Sequence, residues 1–273
     1  MSYPLTALIS DLHGNLPALE TALADARQRG AKRFVCLGDV VGYGASPKPC
    51  LDLVMSLCSK SPQFPAGGDE PALEPGLCLL GNHEHALLHS AEDFNPKARS
   101  AIEWTRENLN DPADRDGSYR YWDFLDSLVP LDRDERAMFA HGSPRDPVRE
   151  YLLPRDARNR EKMEENFARM DREVCFVGHS HVPAVYFEDG SVFRPRDGAT
   201  QRDLETGPGA RAIVNVGSVG QPRDGDPRLS YALFDGSTVL FRRLEYDVAA
   251  AAAAIRAIEE LPSFLAERLA IGR

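Results

Sequence analysis

Five short apolar runs in this 273-residue chain stop at the same punctuation, an Asp or a His set close to glycine. They cover residues 5–10, 33–37, 77–80, 137–140 and 174–177, and the residues that follow are Asp11-Leu12-His13-Gly14, Gly38-Asp39, Gly81-Asn82-His83-Glu84, His141-Gly142 and Gly178-His179-Ser180-His181. Apolar stretches of this length bounded by turn residues read as buried strands. Of the seven histidines, His13, His83, His141, His179 and His181 fall at these ends. Such repetition implies strands that terminate along one edge of a sheet, where side chains distant in sequence converge.

The intervening segments fit that frame. Leu16, Leu19, Ala22, Leu23 and Ala26 recur at helical spacing before Gly30, so residues 5–37 read as a strand–helix–strand unit with Asp11 and Asp39 at its carboxyl edge. Helices are expected over 47–57, from Asn95-Pro96 to 109, over 119–128 and over 155–170. Residues 59–76 hold four Pro and three Gly and read as a surface loop or lid. Beyond residue 181 the pattern turns β-rich, with strands expected at 184–187, 191–194, 212–216, 231–234 and 239–244 and a polar loop or hairpin tip at 197–210. The chain closes with one or two helices from Asp247.

Length is enough for a sizeable core and predicts one domain over 1–273, with the helices from about 247 packed on it. A formal net charge of −10 argues against non-specific binding to nucleic acid or to anionic membranes. A small anionic substrate stays open, because a bound cation supplies its own positive field. The five cysteines form no C-x-x-C pair and read as free, buried thiols of a reducing compartment. No basic segment followed by a long apolar stretch opens the chain, and the alanine run at 249–254 is too short to span a bilayer, so a cytoplasmic location is expected.

Asp39 follows a buried-type strand and a glycine, and its two oxygens suit it to sit between two cations, one on each. The surrounding candidates are imidazole, carboxylate and amide oxygen without sulfur. That set suits Mn, Fe, Zn, Ni or Co rather than a thiolate-rich structural zinc clip. Two such ions about 3.5–4 Å apart can clamp a phosphate.

The blocks Asp11-Leu12-His13, Gly38-Asp39, Gly81-Asn82-His83-Glu84, His141-Gly142 and Gly178-His179-Ser180-His181 resemble, in order, the signature of the calcineurin-like metallophosphoesterases. The resemblance spans about residues 5–245. It implies an α/β (α+β) fold, a four-layer sandwich of two mixed β-sheets flanked by helices. It also implies that Asp11, His13, Asp39 and His181 bind one metal and Asp39, Asn82, His141 and His179 the other. His83 would stay unligated and act as general acid on the leaving oxygen, while a hydroxide shared by the ions attacks phosphorus in line. The substrate would be a small phosphorylated, nucleotide-like molecule carrying a phosphodiester or phosphoanhydride.

One block departs from a branch of that superfamily. Its protein Ser/Thr phosphatases carry G-D-x-V-D-R-G, and here Gly42 and Tyr43 replace the carboxylate and the arginine of that motif. The segment is more similar to the bacterial phosphodiesterases and dinucleoside-polyphosphate hydrolases. A phosphomonoesterase, a protein phosphatase and a catalytically silent scaffold are the rival readings. Arg145 and Arg223, in the related peptides Gly142-Ser143-Pro144-Arg145-Asp146 and Gly220-Gln221-Pro222-Arg223-Asp224, are candidates to grip substrate oxygens, each with a turn-forming Arg–Asp pair as its alternative. Asn15 is a candidate for assisting the substrate or for capping the next helix. His85 and His89 are read as a solvated helix face or supporting contact, with a third metal as the alternative. Oligomeric state is not legible.

Overall fold

The computed structural model of the protein describes residues 3–63, 72–196, 198–204 and 210–273. Strands β1 (Thr6–Ile9) and β2 (Arg33–Cys36) run parallel, joined through helix α1 (Leu16–Gln28), with Ile9 opposite Cys36. Helix α2 (Pro47–Leu57) leads to β3 (Leu77–Cys78), parallel to β2. Helices α3 (Asn82–Leu88), α4 (Pro96–Leu109) and α5 (Arg115–Asp126) follow. Then come β4 (Leu131–Arg133), β5 (Ala137–Ala140), α6 (Arg160–Ala168), β6 (Val174–Val177), β7 (Ala184–Phe187) and β8 (Val192–Phe193). The chain continues through β9 (Ala199–Asp203), β10 (Ala212–Asn215), β11 (Leu229–Phe234) and β12 (Thr238–Leu244) to α7 (Val248–Arg256) and α8 (Phe264–Glu267).

The strands form two mixed sheets, ordered β3-β2-β1-β11-β12-β9 and β4-β5-β6-β10-β7-β8. Period-two alternation explains how they stack. Leu8, Val35, Phe139, Phe176, Val214 and Phe241 meet in one apolar layer between the sheets. Ala7, Ile9, Phe34 and Cys36, on the opposite face of the first sheet, pack with Leu19, Leu23, Leu51 and Val54 of the helices. Met138, Cys175 and Val177 face outward from the second sheet against Met163 and Phe167 of α6. The expected helix–sheet–sheet–helix layering is therefore what the sequence builds. α7 and α8 close over α1 and α4 through Ala101, Ala252, Ile255, Leu265 and Leu269.

Two segments differ from the sequence reading. The helix expected over 155–170 is split: a 3-10 turn, Pro154–Arg158, ends at Asn159, whose side chain accepts the Lys162 amide and starts α6 anew. Within the expected loop at 197–210, Ala199–Asp203 is an edge strand paired antiparallel to β12, its side chains largely solvated and so without an alternating apolar signal. Residues 197 and 205–209 of that loop lie outside the described residues, as do residues 64–71 of the proposed lid at 59–76. The five cysteines are all buried and unpaired. Among the described residues, no helix is long and apolar enough to cross a membrane.

Candidate metal centre

The two sheets bring their strand ends to one edge, and backbone hydrogen bonds lock the loops there to one another. Asp11 N donates to Gly38 O (3.0 Å), His13 N to Asp39 O (2.9 Å), Gly178 N to His141 O (2.9 Å) and Gly220 N to Asp11 O (2.9 Å). Asp11, His13, Asp39, His179 and His181 all adopt left-handed backbone conformations, φ between 49° and 62°. For non-glycine residues each such conformation costs on the order of 1 kcal/mol, and clustering of this strain marks a site held in shape by its surroundings.

Two groups of buried side chains result. Asp11, His13, Asp39 and His181 converge on one point, and Asp39, His141 and His179 on another. His13 Nε2 lies 3.2 Å from His181 Nε2, and His141 Nε2 lies 3.1 Å from His179 Nδ1 and 3.0 Å from Asn82 Oδ1. All seven residues that the resemblance assigned as ligands thus meet here.

Asp39 belongs to both groups. Its Oδ1 accepts the His83 amide at 2.9 Å, which leaves Oδ2 alone facing both clusters, 3.8 Å from His13 Nε2 and 3.4 Å from His141 Nε2. Both clusters therefore face the same oxygen of Asp39.

The donor chemistry fits cations. His13 Nδ1 is paired with Val41 O, His141 Nδ1 with Leu37 O, His181 Nδ1 with Gln221 O and His179 Nε2 with Arg149 O. A carbonyl accepts only, so each of these nitrogens carries a proton, and the ring's other nitrogen, the one able to ligate an ion, is turned inward. Two such nitrogens facing each other at 3.1–3.2 Å require a positive charge between them, an ion or, in its absence, a proton. Asp11 Oδ1 is likewise buried without a hydrogen-bond donor. Proton affinities report the same field. Burial lowers His141, but the carboxylates of Asp39 and Asp11 outweigh it and lift the ring to about 9. Burial and the His141 charge push His179 down to about 3. Asp11 stays well below the usual carboxylate range because His181 overcomes the effect of burial.

His83 stands beside the clusters and outside both, with Nε2 4.0 Å from Asp39 Oδ2. Its orientation comes from packing. The ring meets Tyr43, His13 and Phe94 at centroid separations of 4.5, 4.7 and 5.2 Å. Its Nδ1 is buried with no hydrogen-bond partner, and burial lowers its proton affinity to about 4.

Glu84 has a role the sequence reading left undefined. Its carboxylate accepts the amides of Asp39 (2.8 Å), Gly81 (3.0 Å) and Val41 (3.2 Å), so it clasps the loop that presents Asp39. Burial and the Asp39 charge raise it to about 7. The signal was present, since an acidic residue three positions after a helix-starting glycine reaches back to free amides.

Two candidates for substrate contact are already engaged within the protein. Arg145 is engaged by carboxylates, with Nε at 3.0 and 2.9 Å from the two Glu150 oxygens and Nη1 on Glu165, so its charge is already neutralised. Asn15 caps α1 by accepting the Ala18 amide (3.3 Å), and its Nδ2 is spent on Gly220 O (2.8 Å). Arg223 does border the site: its amide donates to His181 O (3.3 Å), its guanidinium to Gln221 Oε1 (2.8 Å). The His85 and His89 rings pack tilted against each other at 4.6 Å, and among the described residues they join no group able to hold an ion.

A buried Asp/His cluster at the carboxyl edge of two stacked, helix-flanked sheets defines a divalent-metal-dependent hydrolase of phosphoric esters. The chain belongs to the calcineurin-like phosphoesterase family, whose profile matches residues 5–183. It is similar to a metallophosphoesterase of Sphaerobacter thermophilus, at 36% identity and a TM-score of 0.79 over 99% of this chain and 100% of that one. An uncharacterized protein of Methanocaldococcus jannaschii is 35% identical over 275 residues, 98% of each chain. A hypothetical protein of Pyrococcus horikoshii OT3, 18% identical, shares the fold with a TM-score of 0.72 over 98% of each chain.

Proposed function

We propose that the protein is a dinuclear phosphodiesterase or phosphoanhydride hydrolase acting on a small, nucleotide-like substrate. The observation that carries this reading is the convergence of two pairs of imidazole nitrogens, His13/His181 and His141/His179, on either side of Asp39 Oδ2. Asp11, His13, Asp39 and His181 would hold one ion and Asp39, Asn82, His141 and His179 the other, drawn from Mn, Fe, Zn, Ni or Co. Bound there, the ions would neutralise phosphoryl oxygens and activate water as a nucleophile. The protein's own work is positional. The left-handed turns aim the donors, Glu84 fixes the Asp39 loop, and the aromatic ring cage holds His83 toward the same cleft.

His83 is neutral at rest because burial disfavours its charged form. The negative charge of an incoming phosphoryl group raises its proton affinity, which suits it to pass a proton from Nε2 to the departing oxygen. Preference for diesters over protein monoesters follows from positions 42 and 43, where neither a carboxylate nor a guanidinium is present. In this reading all of residues 1–273 serve as one catalytic unit. The test is turnover of bis-p-nitrophenyl phosphate, p-nitrophenyl phosphate and diadenosine tetraphosphate with Mn, Fe, Ni, Co or Mg. Faster turnover of the diester or anhydride is expected, and turnover of the monoester alone contradicts the assignment.

A further inference from the structure

A cavity of about 240 Å³ opens beside the metal centre, and its wall takes in both donor residues and aromatic rings. Asn82 and His179, which meet His141 Nε2 at 3.0 and 3.1 Å, line it from the donor side. Tyr43 and Phe94 also line it, and their rings pack on His83 at 4.5 and 5.2 Å. A third ring, Tyr151, lies over the His179 imidazole at a centroid separation of 3.8 Å. One space therefore touches a pair of metal-donor side chains and the two rings that hold His83.

The backbone around these rings fixes them before any ligand arrives. The Phe94 amide donates to Ala91 O (3.0 Å), and the next residue, Asn95, caps α4 by accepting the Ala98 amide (3.1 Å). Tyr151 sits between two anchors: Arg149 O accepts from His179 Nε2 (3.1 Å), and Tyr151 O accepts from Lys162 Nζ (2.7 Å). Stacking on His179 occupies one face of Tyr151, yet the residue stays 45% exposed. An aromatic ring left this open at the mouth of a polar centre offers surface that a ligand can cover. Charge on this wall is already matched, since Arg149 supplies its guanidinium and Asp93 faces it at 3.5 Å. Away from the metal donors, what remains for contact is the rings of Tyr43, Phe94 and Tyr151.

The geometry points to a stacking pocket for a planar aromatic group carried by the substrate next to its scissile phosphoryl, with Tyr151 as the ring that determines specificity and Tyr43 and Phe94 as its walls. The pocket is smaller than the about 300–1,000 Å³ of cavities that enclose a whole drug-sized ligand. It therefore takes one ring system, the size of a single nucleobase, rather than a complete dinucleotide. This deepens the hydrolase reading and rests on it: because Tyr43 and Phe94 touch both the cavity and His83, the ring belongs to the alcohol whose oxygen His83 protonates.

The test measures binding by calorimetry on the manganese-loaded full chain, with phenylphosphonate, cyclohexylphosphonate and methylphosphonate as unhydrolysable probes. Wild-type protein should bind phenylphosphonate about tenfold or more tightly than methylphosphonate. Cyclohexylphosphonate, of similar apolar bulk without a planar face, should bind more weakly than phenylphosphonate. Tyr151→Leu should lower the phenyl-to-methyl ratio about fivefold or more, whereas Tyr151→Phe, which keeps the ring, should preserve it. Tyr119→Leu, at an exposed ring on α5, should preserve it as well. A wild-type ratio near one, or equal affinity for the phenyl and cyclohexyl probes, overturns the pocket. So does an equal loss of phenylphosphonate and methylphosphonate affinity in Tyr151→Leu, which would mean that Tyr151 acts only by supporting His179. Turnover of bis-p-nitrophenyl phosphate reports on the hydrolase reading separately: turnover with a ratio near one removes the pocket alone, and the full ratio without turnover of any ester removes the hydrolase reading alone.

Discussion

Gly42 lies directly against His83: a Cβ added at position 42 would stand 2.1 Å from His83 Nδ1, the buried nitrogen that has no hydrogen-bond partner. Related phosphatases place a carboxylate at this position to steer the histidine. Here the ring is steered by Tyr43, His13 and Phe94, and the glycine makes room for it. Gly42→Ala should therefore displace the ring and lower kcat by about 10²-fold or more, with metal content unchanged. The left-handed φ of +84° adds a stability loss of about 1 kcal/mol. Wild-type kcat in a folded Gly42→Ala protein would show that this contact does not set the ring.

Replacing His83 itself separates positioning from metal binding. His83→Ala should retain full metal content, because the ring belongs to neither donor group. It should lower kcat by about 10²–10⁴-fold for substrates with poor leaving groups. The loss should be smaller for bis-p-nitrophenyl phosphate, whose leaving group needs no proton. Equal losses on both substrate types would assign His83 another task.

Glu84 supports three backbone amides at once. Glu84→Ala leaves those donors buried and unpaired, which should cost about 3 kcal/mol or more in denaturant unfolding. Glu84→Gln keeps one acceptor oxygen and should cost less. A loss below about 1 kcal/mol for the alanine variant would mean that water takes over the amides and that the clasp is dispensable.

Away from the site, Asp25 ties α1 to the first sheet through Arg242 (2.8 and 2.9 Å) and Tyr231 (2.5 Å), and also accepts from Arg29 at the end of its own helix (3.0 Å). Burial tends to raise the carboxyl, and these donors outweigh it, so its folded pKa lies below the unfolded value. The stabilisation is thus fully present above the unfolded pKa of about 3.9 and is lost as pH falls through the folded one. Asp25→Asn should lower stability at pH 7 and flatten the acid limb below about pH 4. Urea unfolding of the metal-free protein at pH 7 and pH 3 checks this, and parallel losses in both proteins would remove Asp25 from the acid response.

Much of this arrangement is legible in the residues. Strand ends marked by Asp11, Asp39, His141 and His179 are local signals repeated five times, and the two-sheet layering follows from period-two alternation such as Ala7/Leu8/Ile9. What escaped depends on partners remote in sequence. Arg145 and Arg223 occupy similar peptides, yet Glu150 and Glu165 neutralise one, whereas among the described residues no Asp or Glu pairs with the other. Arg268 reaches Tyr43 only because α7 and α8 fold back across α1. The choice of a single Asp39 oxygen depends on the His83 amide claiming the other. None of these has a periodic or motif-level trace.

The central claim is that Asp39 Oδ2 lies between two ions. It is tested most directly by metal analysis together with electron paramagnetic resonance of the manganese-loaded protein. The account predicts two equivalents per chain with an exchange-coupled spectrum, and loss of that coupling in Asp39→Asn. A single equivalent, or two ions with independent spectra, would contradict it.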